Sequence, residues 1–322
     1  MVLLDFALSS VPICGYRWQR LRVLVALGFG LFANGAGVAP LSLENPAAGV
    51  YVHYGQQALS SADNHGDIAN LGFVVGARCV AVIDTGGSIA VGRALREAIR
   101  TVTELPVCYV INTHGHPDHI LGNAAFLGES TEFVGHVRLD EALSRRGPFY
   151  LRAAQRELGV ADAGSEIVRP TRRVATVDRL DLGGRELVVR AWPPAHTDQD
   201  LTVRDENSGT LWLGDLVFVG HLPVVDGSLR GFIAASEELK LLDAQRAVPG
   251  HGRIRSWPQA LAPQEEYLRH LRAEVRAAIA EGKTLAQAVE TVRLDDPDVW
   301  LLADTFHARN VSAAYAELEW EQ

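Results

Sequence analysis

The chain has 322 residues, of which 48% are apolar and 21% are charged, a composition typical of a globular protein with a sizeable core. Its 30 basic and 39 acidic residues give a formal net charge of −9. This balance excludes the basic surface that nucleic-acid-binding proteins and nucleases present to phosphates, so we expect no nucleic-acid partner.

The first 39 residues have the order of an export signal. Three arginines within residues 17–22 precede an apolar run at 23–32, and a stretch of small residues follows at 33–39. The apolar run is shorter than the about 20 residues that span a membrane. We therefore expect a targeting segment at 1–39, a periplasmic or otherwise exported protein, and no stable membrane span once the segment is removed. The alternative is an ordinary buried N-terminal helix.

Short strands and one capped helix are predicted next. Residues 50–53, 71–75 and 79–83 have strand patterns, and the last two would form a hairpin. Ser88 is placed to cap a helix that reaches Val102, because the apolar residues between them recur at helical spacing. A short apolar run at 107–111 then predicts a central strand.

The cysteines show no CxxC or zinc-finger spacing. Cys79 and Cys108 each lie in an apolar run of strand type, where a buried, inert thiol is the interpretation that we favour. A disulfide between them is the alternative that the sequence leaves open. Cys14 lies in the predicted targeting segment.

The strand at 107–111 leads into the stretch Thr113-His-Gly-His-Pro-Asp-His119, with three histidines and an aspartate within six positions. Side chains two residues apart on an extended segment project the same way, so His114 and His116 can bind one ion. The proline begins a helix that would turn Asp118 and His119 toward a second position. Imidazole with carboxylate is a zinc ligand set, although iron and manganese accept it. A solvated histidine-rich loop is the alternative.

Strands and helices alternate through the rest of the chain, and no repeat of 20 to 50 residues interrupts them. We expect an α/β domain at 40–256 with a helical cap at 257–322. One helix is predicted from Pro117 to about 127, and further helices at 137–145, 149–158, 229–244, 264–281, 284–292 and 304–320. Strands are predicted at 132–135, 179–182, 186–191, 201–204, 210–213 and 247–248.

Three further candidate ligands follow predicted strands directly. His196 comes after the strand that ends at Ala191, Asp215 after the strand at 210–213, and His251 after the last short strand. Any one of them alone is more often a structural residue. Because sites in α/β folds collect at the carboxyl ends of strands, their shared placement favours a common site.

With these residues in this order, the chain resembles the metallo-β-lactamase superfamily, whose HxHxDH motif, later His, Asp after Gly and final His bind two metals. The resemblance covers about 50–255. It implies a four-layer αβ/βα sandwich with a C-terminal helical extension, and two divalent ions, with zinc expected. It also implies the ligand roles: His114, His116 and His196 on one metal, Asp118, His119 and His251 on the other, Asp215 bridging, and Asp84 supporting the site from behind.

A bridging aspartate at position 215 resembles glyoxalase II and related hydrolases, and differs from the true β-lactamases. That resemblance implies hydrolysis of an ester, thioester, lactone or lactam by a bridging hydroxide that Asp118 would orient. A small-molecule substrate is expected, and His221, His65 and Asn70 are candidates for lining its cleft. β-Lactamase activity, a mononuclear-iron oxidoreductase of persulfide dioxygenase type and a non-catalytic binding role are the alternatives.

Five stretches, at 112–126, 133–136, 221–228, 309–311 and 316–320, carry a narrower resemblance. They are similar to exported metallohydrolases, related to a sulfur-oxidation protein, that accompany pyrroloquinoline-quinone dehydrogenase systems. The resemblance implies a periplasmic protein with a quinoprotein dehydrogenase system as its partner.

Overall fold

The computed structural model describes residues 40–128, 130–159, 164–294 and 299–321. The predicted targeting segment at 1–39 lies outside the described residues.

Two β-sheets form the centre of the described chain. The first follows chain order, and its described strands are β1 Glu44–Ala47, β2 Val50–His53, β3 Leu71–Val75, β4 Val80–Ile83, β5 Val107–Ile111, β6 Glu132–His136 and β7 Arg172–Val174. The second has the order β13-β12-β11-β10-β9-β8, and its described strands are β8 Val177–Asp181, β9 Glu186–Ala191, β10 Leu201–Asp205, β11 Thr210–Phe218, β12 Arg246–His251 and β13 Arg255–Ser256.

Helices cover the outer faces of both sheets. Those that the described ranges contain are α1 Ile89–Val102, α2 Pro117–Ile120, α3 Leu139–Leu158, α4 Leu229–Leu239, α5 Ala262–Ala280, α6 Leu285–Thr291 and α7 Ala303–Leu318. None of the helices in these ranges combines the length and apolar character that crossing a membrane requires.

The alternation of side chains along the strands builds the layers. In β4, Ala81 and Ile83 enter the core between the two sheets, whereas Val80 and Val82 enter the core under α1. In β11, Trp212 packs between the sheets, and its neighbours on either side pack under α4, α5 and α7. The result is the predicted four-layer αβ/βα sandwich, with the C-terminal helices packed on the second sheet.

Parallel pairing places the ends of consecutive strands side by side. β4 pairs with β5 in a register that sets Ile83 opposite Ile111, so the residues after each strand meet at one edge of the first sheet. β11 pairs with β12 in parallel in the second sheet, with Phe218 opposite His251. In each sheet, the residues at the ends of the paired strands therefore lie side by side.

Two helix predictions are wrong in detail. Helix α3 runs without a break through Pro148, where two helices were predicted. A proline inside a helix costs about 3 kcal/mol. We attribute the continuity to burial, because Leu143, Tyr150 and Ala154 share a core with Ile120 from both sides of the proline.

The helix after the histidine motif is shorter than predicted. It ends at Ile120, and a separate 3₁₀ turn spans Asn123–Phe126. Gly122 lies between them, where an added Cβ would come within 2.0 Å of the carbonyl oxygen of Thr85 and 2.9 Å of the Cα atom of Gly92. This close approach, which a periodicity pattern does not reveal, turns the chain.

Cys79 and Cys108 form a disulfide, so the interpretation of both as free thiols is wrong. Their Cα atoms are 5.8 Å apart because Cys79 directly precedes β4, and Cys108 lies on the parallel neighbour β5. The sequence showed each cysteine in its own apolar run, but the adjacency arises only when α1 returns the chain to the same sheet.

Candidate metal centre

Two hydrogen bonds from Thr113 to Asp84, the residue that follows β4, hold the histidine motif. The Asp84 carboxylate accepts the Thr113 N–H at 2.8 Å on one oxygen and the Thr113 hydroxyl at 2.7 Å on the other. His116 has extended backbone angles and caps α2, whose first residue is Pro117. The structure places Asp118 and His119 in the helical turn α2, as the sequence predicts, whereas His114 lies in a bend after β5 and not on a regular extended segment.

The second sheet brings the other three candidate ligands to the same edge. The loop after β9 that carries His196 is tied to the motif, because the Leu201 N–H donates to the Thr113 carbonyl at 2.7 Å. Asp215 lies within β11 and His251 ends β12. A Cβ on Gly250 would lie 1.9 Å from Asp215 Oδ1, so only glycine at that position allows the two strands to present both side chains.

Four side chains form the first candidate cation position, which we call cluster 1: His114, His116, His196 and Asp215. His116 Nδ1 and His196 Nε2 are 3.0 Å apart. Asp215 Oδ2 lies 3.3 Å from His196 Nε2 and 3.7 Å from His114 Nε2. These separations resemble those of ligand atoms around one ion, since tetrahedral zinc with bonds of about 2.1 Å places its ligands about 3.4 Å apart.

Three side chains form the second position, cluster 2: Asp118, His119 and His251. Asp118 Oδ2 lies 3.4 Å from Nε2 of each histidine. Asp215 Oδ1 is 3.3 Å from His119 Nε2 and 3.4 Å from His251 Nε2. One oxygen of Asp215 therefore faces each cluster, as a bridging ligand requires.

Unsatisfied buried atoms indicate that both positions fit a cation. His114 Nε2, His119 Nε2 and Asp215 Oδ1 are buried and have no hydrogen-bond partner. Buried polar atoms are nearly always paired in folded proteins, so a set of orphans pointing at one spot needs another explanation. Imidazole nitrogens and carboxylate oxygens suit divalent zinc, iron or manganese.

The outward-facing ring nitrogens of four histidines contact oxygen atoms, which orients each ring. His119 Nδ1 lies 2.8 Å from Asp84 Oδ2, and His116 Nε2 lies 3.1 Å from Asp226 Oδ2. The backbone carbonyls of Val224 and Ile68 accept from His196 Nδ1 at 2.7 Å and His251 Nδ1 at 2.9 Å. Such partners fix the tautomer that leaves the other nitrogen free for a metal.

Asp226 is a site residue that sequence reasoning missed. Its carboxylate contacts His116, 110 residues earlier, and also accepts from Arg146 of α3 at 2.6 Å. It lies in the stretch 221–228, which carries part of the narrower resemblance, but the sequence did not single it out as a site residue. Only the folding of the 221–228 loop over the motif reveals its role.

Burial and charge act differently on the two clusters. In cluster 1, burial lowers the pKa of His196 to about 4 and, together with the neighbouring imidazoles, holds the pKa of His114 well below its ordinary value. In cluster 2, burial opposes protonation, but Asp215 and Asp118 raise the pKa of His251 to about 9, and carboxylates likewise raise that of His119. Cluster 2 thus attracts positive charge strongly.

A cavity of about 510 Å³ opens above both clusters. His221 lies in its wall, where its ring stacks on that of His251 with centroids 5.0 Å apart, and its Nδ1 donates to the Leu222 carbonyl at 2.6 Å. The structure does not place His65 or Asn70 in that wall. The Asn70 amide instead donates to the carbonyls on either side of the His251 turn, at 2.8 and 2.6 Å.

Comparison with known proteins agrees with this geometry. A family model described as metallo-beta-lactamase superfamily matches residues 66–251. A linear primary-alkylsulfatase from Pseudomonas sp. (strain ATCC 19151) is 36% identical over 58 residues, which are 18% of this chain and 11% of that protein.

Two solved structures show the same fold. The structure of a stereoselective inverting sec-alkylsulfatase from Pseudomonas sp. superposes with a TM-score of 0.67 at 16% identity, over 85% of this chain and 50% of that one. A metallo-beta-lactamase from Pontibacter korlensis has a TM-score of 0.59 at 20% identity, over 71% of this chain and 99% of the other. The chain thus matches half the length of the alkylsulfatase and nearly all of the lactamase.

Proposed function

The chain belongs to the metallo-beta-lactamase superfamily, and on that premise we propose that it is a dinuclear metallohydrolase, with zinc the expected metal. The observation that carries the proposal is the placement of Asp215, whose two carboxylate oxygens face the two clusters separately. We propose that it cleaves an ester, thioester, lactone or lactam in a small molecule.

The reaction adds water across the acyl bond. A new carbon–oxygen bond forms at the carbonyl carbon, the bond to the leaving oxygen, sulfur or nitrogen breaks, and a proton from water ends on the leaving group. Two divalent ions, when bound, supply Lewis-acid polarisation and a water that ionises near neutral pH. In such a site the chain's own residues position the reactants.

Asp118 is the residue to which we assign the positioning of the attacking water. Its side chain is 15% exposed, whereas that of His119 is fully buried and that of His251 is 7% exposed, so Asp118 faces the cavity most openly. A carboxylate there can accept a hydrogen bond from the water and direct its oxygen toward the substrate. His119, which does not line the cavity, holds this arrangement from behind, whereas His251 lies in the cavity floor.

A second candidate substrate is a sulfate ester. The short match to a primary-alkylsulfatase and the superposition on a sec-alkylsulfatase structure over 85% of this chain favour it. The same site would then act on the ester of an alkyl sulfate. Because those two comparisons cover 11% and 50% of the other proteins, we rank this candidate below the acyl substrates.

We also propose that the protein is exported and acts beside a quinoprotein dehydrogenase system. The disulfide supports export, because such bonds persist in oxidising compartments and are rare in the cytosol. The signal-like order of residues 1–39 supports it independently. Cell fractionation with N-terminal sequencing tests this: recovery of an uncleaved chain from the cytosolic fraction alone would overturn it.

The function is tested on protein purified without added metal. We expect about two divalent ions per chain by elemental analysis and turnover of at least one of four reporters, a 4-nitrophenyl ester, a thioester, a lactone or decyl sulfate. Asp215→Asn should lose ions and turnover together. One iron per chain without zinc would instead favour an oxidoreductase, and two ions without any turnover would favour a binding role.

A further inference from the structure

The walls of the cavity above the clusters differ sharply from its floor. The floor contains five of the candidate metal ligands, whereas two helices contribute residues to the walls. Helix α3 contributes Arg145, Arg146 and Phe149, and the start of α7 contributes Phe306 and Arg309. Each wall therefore pairs a guanidinium group with an aromatic ring.

The rim is apolar where it is open to solvent. Phe149 is 55% exposed and Leu59, from the third wall, is 51% exposed. Large apolar side chains are costly to leave in water, and when they surround a cavity they mark the place where an apolar ligand binds. A hydrocarbon segment of a substrate would fit between Leu59, Phe149 and Phe306.

The three arginines are not equivalent. Arg146 donates to Asp226 at 2.6 Å, and Arg145 is paired with Glu141 one turn earlier on α3. Arg309 forms no ion pair with any described residue, and its guanidinium lies 5.5 Å from the centroid of the Phe306 ring. It is thus a positive charge that the described protein leaves unneutralised at the cavity.

The position of Arg309 follows from helical spacing. Phe306 and Arg309 are three residues apart on α7, so they project from one face of the helix, and both line the cavity. Arg309 is exposed, whereas the ligands on the floor are buried or half-buried, so its charge lies toward the open side. In a chain with a net charge of −9, such a local cation offsets the repulsion that an anion would meet.

We propose that the substrate is an organic anion with an apolar chain, and that Arg309 binds its negative group away from the bond that is cleaved. This inference rests on the proposed hydrolase function. Guanidinium binds carboxylate through paired hydrogen bonds, and the neighbouring Phe306 and Phe149 would cover the hydrocarbon part. Arg309 is therefore a residue that determines specificity, without a part in the bond-breaking step.

The experiment uses three matched esters with the metal-loaded full chain: mono-4-nitrophenyl adipate (anionic), 4-nitrophenyl hexanoate (neutral) and 4-nitrophenyl 6-aminohexanoate (cationic). For the wild type we expect the highest kcat/KM with the anionic ester, and a rate that falls as salt is added. Arg309→Glu should lower kcat/KM for the anionic ester about three- to tenfold, raise it for the cationic ester, and leave the neutral ester within about twofold.

Arg93→Glu is the matched control, because Arg93 is an exposed arginine on α1 that does not line this cavity. It should leave the order of the three esters and the salt dependence unchanged. Arg309→Lys, which keeps the charge, should retain most of the preference for the anionic ester. An unchanged anionic-to-neutral ratio in a folded Arg309→Glu variant that turns over all three esters would overturn the inference. No turnover of any ester by metal-loaded wild type would instead count against the hydrolase function.

Discussion

Asp84 connects the two strand ends of the first sheet to cluster 2. It has a left-handed backbone conformation, with φ of 54°, which costs a non-glycine residue about 1 kcal/mol. Its carboxylate offsets that cost, because it contacts the backbone N–H and hydroxyl of Thr113 and Nδ1 of His119. Burial is the largest influence on the pKa of His119 and lowers it. The carboxylates of Asp118 and Asp215 raise that pKa, and the Asp84 carboxylate raises it by a smaller amount.

We expect Asp84→Asn to weaken ion binding at cluster 2 by about 10- to 100-fold, since the amide cannot orient the ring of His119 as the carboxylate does. Titration against a chromophoric chelator measures the affinity. Asp205→Asn is the control, because Asp205 is an equally buried carboxylate whose partner is Arg185. It should lower the free energy of unfolding and leave ion stoichiometry intact. Wild-type affinity in Asp84→Asn would show that Asp84 does not support the ligand.

At the scale of elements, His53 at the end of β2 contacts the loop between β2 and β3 through Asp67. His53 Nε2 lies 2.9 Å from the Asp67 carboxylate and its Nδ1 lies 3.0 Å from the Ser42 carbonyl. Burial of His53 opposes its protonation, but these two acceptors raise its pKa above the ordinary value. The loop also carries Ile68, whose carbonyl orients His251.

The sign of the pH dependence follows from that raised pKa. The stabilisation is fully present below the pKa of histidine in the unfolded chain, about 6.5, and is lost as pH rises through the higher folded value. We expect His53→Gln to lower the free energy of unfolding by about 1 to 2 kcal/mol at pH 6 and by less at pH 9. Urea unfolding at both pH values measures it. Asp67→Asn should reduce the pH dependence similarly, and equal losses at both pH values would contradict this account.

The disulfide joins β4 to β5 around α1. Its cysteines are 29 residues apart, and closing a loop of that size in the unfolded chain corresponds to about 3 to 4 kcal/mol of stability. We expect the double variant Cys79→Ala/Cys108→Ala to lose about that much, with unchanged ion stoichiometry, because the ligand segments are held by separate hydrogen bonds. Urea midpoints of the wild type, oxidised and reduced, and of the variant test this. Equal midpoints in all three samples would mean that the bond does not stabilise the fold.

At the scale of the whole molecule, the sequence predicted the features that follow from patterns among neighbouring residues. The fold class was confirmed, because alternating strands and helices and the side-chain alternation within strands such as β4 are local patterns. The structure also brings together all seven predicted ligand positions in two neighbouring clusters, because the residues lie within strands of the sheets or in the segments that follow them. Strand β1, Glu44–Ala47, was missed because its residues are mostly polar or small and contain a proline.

What the sequence could not predict depends on contacts between distant segments. The pairing of Cys79 with Cys108, the contact of Asp226 with His116 and the position of Arg309 in the cavity wall all arise from tertiary packing. The carbonyls of Ile68 and Val224 that orient two histidines are backbone atoms, which carry no residue-type signal at all. The chemistry of a site can thus be predicted from its ligand residues. The groups that orient those ligands, and the residues that determine specificity, are identified only from the folded structure.

The candidate metal centre joins the two halves of the sandwich. His114 and His119 come from the segment after β5 of the first sheet, whereas His196, Asp215 and His251 come from the second sheet. His114 Nε2, His119 Nε2 and Asp215 Oδ1 are buried without a hydrogen-bond partner where segments of the two sheets meet. An unpaired buried polar atom destabilises the contact around it. Ions bound across the metal centre should therefore stabilise the entire fold and not a single loop.

We expect removal of ions with a chelator to lower the thermal midpoint of the whole protein in one cooperative transition, and added divalent ion to restore it. An ion at 100 times its dissociation constant stabilises a folded protein by about 2.7 kcal/mol, so two sites give a shift of several degrees in a chain of this size. Asp215→Asn should reduce the ion-dependent shift most, because Asp215 alone faces both clusters. His270→Gln, at a histidine of α5 outside both clusters, should retain the full shift. An ion-independent midpoint in the wild type, or a shift confined to a minor early transition, would show that the ions do not join the sheets.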